Sequence, residues 1–264
     1  MSAGKKIRWS RFIKADSKKG IIVPIDHGLS MGPLDGINNV QRIANWIEHP
    51  AANGMIAHKG MIERLAYRGL LNGKGVMMHL NGMTSLANDP TRKELLTSIE
   101  SALRLGADGV SVELLFNGAN EPHNLKVLGQ VVDEAMVYGL PVLVMIKDMN
   151  KYEQASNRIN ASRQIIRTVY ELGADAVKIQ QPEDTNEIPA ILDELCDDIA
   201  VFLAGGAKCA DVEILAIASL AIKSGATGLC IGRNVFQRPD FSAFLSSLHS
   251  LVHTPLKNAA YAIN

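Results

Sequence analysis

Leu172-Gly173-Ala174-Asp175-Ala176-Val177-Lys178-Ile179 decides the fold. It reads as a helix end, a tight turn and a short buried strand, with glycine where a helix C-terminus favours positive φ. Leu105-Gly106-Ala107-Asp108-Gly109-Val110-Ser111-Val112 repeats it closely. Ser224-Gly225-Ala226-Thr227-Gly228-Leu229-Cys230-Ile231 repeats it loosely, and Ala52-Asn53-Gly54-Met55-Ile56-Ala57-His58 more loosely still. Strand side chains alternate between two faces. Val110 and Val112, Val177 and Ile179, Leu229 and Ile231 share one face, bulky enough to pack against helices. Gly109 and Ser111, Ala176 and Lys178, Gly228 and Cys230 share the other. Small residues there suit the confined interior of a closed barrel. Lys178 is the exception on that face. Either its amine snorkels out of the strand end or it is kept inside for chemistry.

Outward from this stretch, eight short apolar runs can be picked out: Ile21–Ile25, Met55–His58, Val76–His79, Gly109–Leu114, Val142–Ile146, Ala176–Ile179, Ala200–Leu203 and Gly228–Ile231. Segments with helical spacing lie between most of them: Arg92–Leu105 after Asp89-Pro90, Leu125–Tyr138, Asn157–Leu172, Ile188–Leu195 and Glu213–Ser224. Alternating strand and helix argues for a parallel sheet. Eight strands without a linker or composition break favour an α/β, single-domain (β/α)8 TIM barrel over residues 21–264. Residues 1–20 are then an N-terminal arm over the barrel bottom, with a surface helix as the alternative. A doubly wound sheet is the alternative, weakened because no Gly-x-Gly-x-x-Gly follows the first run.

Composition narrows the function. The 264 residues are 47% hydrophobic and 20% charged, ordinary for a globular protein. A formal net charge of +0 gives no electrostatic case for nucleic acid or an anionic membrane. No apolar run approaches the ~20 residues of a spanning helix. The basic N-terminus lacks an apolar signal core. Cys196, Cys209 and Cys230 show no paired spacing, which suggests neither a disulfide framework nor a zinc knuckle and fits a reducing cytoplasm.

Barrel chemistry sits at the C-terminal ends of strands. There the chain carries Asp26-His27-Gly28-Leu29-Ser30, His58-Lys59-Gly60, His79-Leu80-Asn81, Glu113, Lys147-Asp148, Lys178, Gly205-Gly206 and Gly232-Arg233. The two glycine-bearing loops of the last strands suit a phosphate: backbone approaches closely, N–H groups point outward and Arg233 adds a guanidinium fork. Lys178 is the candidate nucleophile. A lysine attacks a carbonyl only when neutral, and desolvation with a neighbouring cation, here Lys147, is expected to lower its pKa toward ~7–8. Asp26 is the candidate proton acceptor at a departing hydroxyl; otherwise it caps its own turn. His27, His58 and His79 follow consecutive strands and support a competing reading as zinc ligands.

Ile22-Val23-Pro24-Ile25-Asp26-His27-Gly28-Leu29-Ser30-Met31-Gly32-Pro33 resembles the first-strand signature of the archaeal-type class I fructose-bisphosphate aldolase family. That family also holds the 2-amino-3,7-dideoxy-D-threo-hept-6-ulosonate synthases and the autoinducer-2 aldolase/thiolase. His58-Lys59-Gly60, His79-Leu80-Asn81-Gly82-Met83-Thr84-Ser85-Leu86, Val177-Lys178, Ala204-Gly205-Gly206 and Gly232-Arg233-Asn234-Val235-Phe236-Gln237 match in order, from about Ile21 to His253. The resemblance implies that Lys178 is the Schiff-base lysine and Asp26 the carboxylate that moves protons at the substrate hydroxyl. It implies that His27, Gly28, Leu29 and Ser30 line the substrate, and that Gly205, Gly206, Gly232 and Arg233 bind phosphate. It implies a homo-oligomer.

One departure bears on the reaction. Where the family carries a proton-donating tyrosine in a Tyr-Pro-Arg run, this chain has Lys147-Asp148-Met149, and Tyr152 lies further along. Lys147 then either protonates the enamine or depresses the pKa of Lys178, with Asp148 and Met149 beside the substrate. Glu113-Leu114-Leu115 also departs from the family, and Glu113 is either a surrogate acid or a salt-bridged rim carboxylate. The expected activity is C–C bond making, breaking or transfer on a phosphorylated ketose or diulose, with a small aldehyde such as aspartate semialdehyde as acceptor. No cofactor and no metal is expected. Fructose-bisphosphate cleavage, a thiolase-like acyl transfer to a thiol, and a non-catalytic sugar-phosphate sensor remain alternatives.

Overall fold

The computed structural model describes residues 2–254. Its strands are β1 (Gly20–Pro24), β2 (Gly54–Ala57), β3 (Gly75–His79), β4 (Asn81–Gly82), β5 (Glu94–Leu95), β6 (Gly109–Phe116), β7 (Val142–Asp148), β8 (Ala176–Ile179), β9 (Ala200–Ala204) and β10 (Gly228–Cys230). Eight of them close a barrel in the order β1-β10-β9-β8-β7-β6-β3-β2, every pair parallel. The short β4 and β5 pair antiparallel beside it. This is a single-domain (β/α)8 TIM barrel. The expected domain end at Asn264 falls outside the described residues.

The two faces of each strand enter different cores. Val110, Val112, Val177, Ile179, Leu229 and Ile231 join the larger cluster between sheet and helices. Ile22, Ile56, Met77, Leu143, Met145, Ala176, Phe202 and Cys230 fill the barrel, and Trp9 and Phe12 join them from the N-terminal segment. Trp9 ends the helix Ala3–Trp9. Phe12 is fully buried and occupies space that side chains on β2 and β3 would need. A Cβ on Gly54 or Gly75 would stand 2.7 Å from its Cδ1.

The repeat also has a physical basis. Gly106, Gly173 and Gly225 end their helices at φ of 74°, 90° and 102°. Two residues on, an oxygen-bearing side chain accepts the first free amide of the neighbouring strand. Val76 N–H donates to Asp108 Oδ2 (3.0 Å), Val142 N–H to Asp175 Oδ2 (2.9 Å) and Val201 N–H to Thr227 Oγ1 (3.1 Å). Asn53 does the same for Ile21 N–H at 2.8 Å. The basic N-terminal segment adds its charges here: Arg11 pairs with Asp108, and Lys5 with Asp175 at 2.9 Å.

Two expected helices are corrected. The stretch Arg92–Leu105 is helical only over Ile99–Arg104, where Ser98 caps the helix by accepting from Ser101 N–H at 3.2 Å; Glu94–Leu95 pairs with β4 instead. The stretch Ile188–Leu195 is a helix only to Leu192, because Glu194 takes a left-handed φ of 61° and a new turn starts at Leu195.

Candidate active site

A cavity of about 740 Å³ opens at the C-terminal ends of the strands. Asp26, His27, Ser30, Glu113, Lys147, Met149, Lys178, Gly205, Gly206, Cys230, Gly232 and Arg233 all line it. A larger cleft of about 1180 Å³ lies at the opposite end. There Arg11 pairs with Asp108, and Lys74 donates to the carbonyls of His49 and Ala52. The chemistry therefore belongs to the smaller hollow.

Asp26 precedes the short helix His27–Met31 but makes no capping bond to it. Its carboxylate is buried, and Oδ1 makes no hydrogen bond among the described residues. Burial alone would raise its pKa. His79, His27, Lys178 and His58 outweigh that and hold it down to about 2. The histidines around it are held below their ordinary range, first by burial. His79, pushed to about 4, also shares a 2.8 Å hydrogen bond with Ser111 Oγ through Nδ1. The rings of His58 and His79 meet edge to face, 5.2 Å apart. Among the described residues no three His, Cys, Asp or Glu side chains converge as metal ligands, so His27, His58 and His79 do not form the zinc site of the competing reading.

Lys178 projects inward from β8. Its register partner on β7 is Met145, and Met145 in turn is level with Glu113 on β6. Lys178 Nζ lies 3.6 Å from Met145 Sδ. The expected depression of this lysine is corrected. Burial pushes its pKa down, but Cys230, Asp26 and Glu113 together push it up, against Arg233, and the balance is upward. The Cys230 thiol is itself pushed to about 12 by burial. The opposing cation is Arg233, not Lys147. Barrel closure brings acids from β1 and β6 to the amine, where both favour its charged form.

Two glycine loops form the other wall. Gly206 has φ of 66°, and its Cβ position would approach Gln181 Oε1 at 3.2 Å. A Cβ on Gly232 would lie 2.8 Å from Pro24 O and 3.0 Å from His27 Cε1, which makes close approach the reason for glycine there. Asn234 joins the loops, its Nδ2 donating to the carbonyls of Gly205 and Ala207 at 2.7 Å each.

Some sequence-derived residues fall elsewhere. Gly28 is exposed and does not line the cavity, and Leu29 packs against Gly82. Asp148 faces a separate crevice, where it accepts from Tyr152 Oη (2.9 Å) and Asn150 N–H (2.9 Å). Alternation along β7 is the cause: Met145 and Lys147 face inward, Ile146 and Asp148 outward. Sequence reading missed Lys93, whose Nζ lies 3.3 Å from Glu113 Oε2, because it sat in a wrongly placed helix. It also missed Gln181, whose buried Nε2 makes no hydrogen bond among the described residues. Three residues past Lys178, it was within reach of the same rim argument.

A closed parallel barrel with an amine on an inner strand and a glycine-lined wall opposite defines a class, the (β/α)8 barrel lyases and transferases. The chain belongs to the DeoC/LacD family of aldolases, whose model matches residues 20–238. It is 33% identical over 250 residues to the 2-amino-3,7-dideoxy-D-threo-hept-6-ulosonate synthase 1 of Archaeoglobus fulgidus, covering 95% of this chain and 91% of that one. It is 28% identical to the 2-amino-4,5-dihydroxy-6-oxo-7-(phosphonooxy)heptanoate synthase of Streptomyces griseus, covering 94% and 90%. Among solved structures, it superposes with a TM-score of 0.81 and 26% identity on an archaeal fructose-1,6-bisphosphate aldolase with its catalytic lysine covalently bound to the carbinolamine intermediate, covering 95% and 100%. This chain is an enzyme of the class I, Schiff-base aldolase type. No helix among the described residues is long and apolar enough to cross a membrane.

Proposed function

We propose that this enzyme makes, breaks or transfers a C–C bond on a phosphorylated ketose or diulose through an imine on Lys178, with a small amino-acid aldehyde such as aspartate semialdehyde as acceptor. The observation that carries the proposal is the shared cavity: the Lys178 amine lies inside it, and Gly205, Gly206, Gly232 and Arg233 line the same hollow. A phosphate held by those loops positions the ketose carbonyl toward β8, so that attack is effectively intramolecular. The amine reacts only after losing its proton. Its pKa is raised by the neighbouring acids, so imine formation should accelerate with pH into the alkaline range. Asp26, ionised and without a hydrogen bond of its own, accepts the proton of the hydroxyl at the bond that changes. Lys147 adds positive charge at the mouth for the acceptor's anionic end.

The acceptor assignment is supported by the names of the two synthases, which describe seven-carbon 2-amino acids, one with a phosphonooxy group at C7. Fructose-bisphosphate cleavage is the second reading, favoured by the aldolase superposition. A reducing cytoplasm, in keeping with three free cysteines, and a homo-oligomeric assembly complete the proposal.

The test is borohydride reduction in the presence of dihydroxyacetone phosphate or fructose 1,6-bisphosphate, followed by peptide mass measurement. The expected adduct is on Lys178 and vanishes in Lys178→Ala. An adduct on another lysine would sink the assignment. An adduct on Lys178 without turnover toward any aldehyde would remove the transfer chemistry.

A further inference from the structure

We propose that Glu113 is the general base that takes the proton from the carbon next to the Lys178 imine, and returns it in the reverse direction. The inference rests on the imine assignment above and concerns the step for which this chain lacks the tyrosine that the family resemblance implies.

Three observations converge on Glu113. The first is register. Glu113, Met145 and Lys178 stand level on β6, β7 and β8, and Met145 lies in the inner core. Paired residues of neighbouring strands share a face, so Glu113 and Lys178 both project into the barrel. Two strand spacings put their backbones about 10 Å apart, which leaves a small carbon skeleton between the carboxylate and the amine. Both line the same cavity.

The second is rigidity. Asn81 mimics a strand edge against Glu113: Asn81 Nδ2 donates to Glu113 O at 2.9 Å, and Glu113 N–H donates to Asn81 Oδ1 at 2.8 Å. The carboxylate is further fixed by Lys93, 3.3 Å away, whose side chain is 9% exposed against 30% for Glu113. A fixed, partly open carboxylate facing an amine has the geometry a base requires.

The third is what the alternatives do. The Tyr152 hydroxyl donates to Asp148 at 2.9 Å in a crevice that does not include Lys178. Asp26 stands on the other side of the amine, because β1 follows β10 and β9 from β8, whereas β6 follows β7. Carboxylates on two sides of one imine can serve different atoms: Asp26 the hydroxyl, Glu113 the carbon-bound hydrogen.

The step balances without a further reactant. The C–H electron pair becomes the C=C bond of the enamine. The C=N π pair moves onto Lys178 nitrogen and neutralises the iminium, and the proton goes to Glu113. Refilling the C–H bond reverses every move.

The experiment separates imine formation from proton removal. Dihydroxyacetone phosphate is incubated with enzyme in D2O, and loss of the C–H signal is followed by NMR alongside borohydride trapping. Glu113→Gln should still trap the adduct while exchange falls by about 10²-fold or more. In Glu113→Ala, added formate should restore exchange in proportion to its concentration, which a purely structural role would not allow. Exchange at the unaltered rate in Glu113→Gln would overturn the assignment, as would loss of trapping together with exchange. Absence of an adduct in the unaltered enzyme would overturn the imine reading instead, and this inference with it.

Discussion

The two ends of this barrel spend their polar groups differently. At the bottom, Asp108, Asp175, Asn53 and Thr227 each accept a strand amide, and Arg11 and Lys5 close over the two aspartates. At the top, Asp26 Oδ1, His27 Nδ1 and Gln181 Nε2 are buried without a hydrogen bond among the described residues, while at the bottom His253 Nε2 is in the same state. A buried polar atom left unpaired costs roughly 1–3 kcal/mol. The top therefore carries a destabilisation that the bottom and the core must offset. Paired polar groups hold strands in register; unpaired ones are available to a substrate. The contrast agrees with the rule that barrel stability lies at one face and chemistry at the other.

The comparison breaks most sharply if the ends are not separable. Lys178→Met should remove activity and the borohydride adduct together. Phe12→Ala should leave kcat per folded molecule unchanged but destabilise by about 3–5 kcal/mol, as aromatic truncations in cores do. That corresponds to a Tm lower by roughly 10 °C for a chain of this size. Activity assays paired with thermal melts decide it. A Phe12→Ala enzyme with normal Tm and impaired kcat would show that the bottom plug shapes the site.

A matched pair of glycines sharpens the same contrast. A Cβ at Gly54 would meet Gly75 O and Phe12 Cδ1 at 2.7 Å, and one at Gly232 would meet Pro24 O at 2.8 Å. The steric insult is equal, but the surroundings differ. Gly54→Ala should lower Tm and leave KM alone. Gly232→Ala should raise KM for a phosphorylated substrate by about tenfold, equivalent to one imperfect anion contact of ~1.4 kcal/mol. Equal KM values in the two variants would remove Gly232 from the anion site.

The strands were legible because each repeat carries its own punctuation: a positive-φ glycine, an amide-accepting side chain and a short alternating run. Lys178, Asp26 and the glycine loops followed from placing the strand ends on one rim. Asp148 was misplaced although alternation from Met145 already turns it outward. Lys93 was lost because residues between β4 and the helix Ile99–Arg104 form a rim excursion, where apolar spacing carries no helical meaning. The charge on Lys178 was not legible at all. It depends on Cys230, Asp26 and Glu113, far apart in sequence, meeting across a closed sheet. Local context showed only the nearby Lys147 and suggested the opposite sign.

The smallest expected difference between the ends is their response to acid. His79 at the top and His253 at the bottom are both held down to about 4, from an ordinary 6.5, chiefly by burial. An unfolded chain protonates these rings near 6.5, whereas the folded chain resists until about 4. The unfolded state thus binds more protons between those values, and stability is full above 6.5 and lost as pH falls toward 4. For the wholly buried His79 the loss is on the order of 3 kcal/mol. His253 is partly solvated, lies beside His249 and Lys14, and should contribute less. His79→Gln should therefore flatten the pH dependence of unfolding in urea more than His253→Gln, and it alone should alter activity, because His79 is among the groups facing Asp26. Equal flattening with activity unchanged in both variants would mean that the acid response of the barrel does not distinguish its two ends.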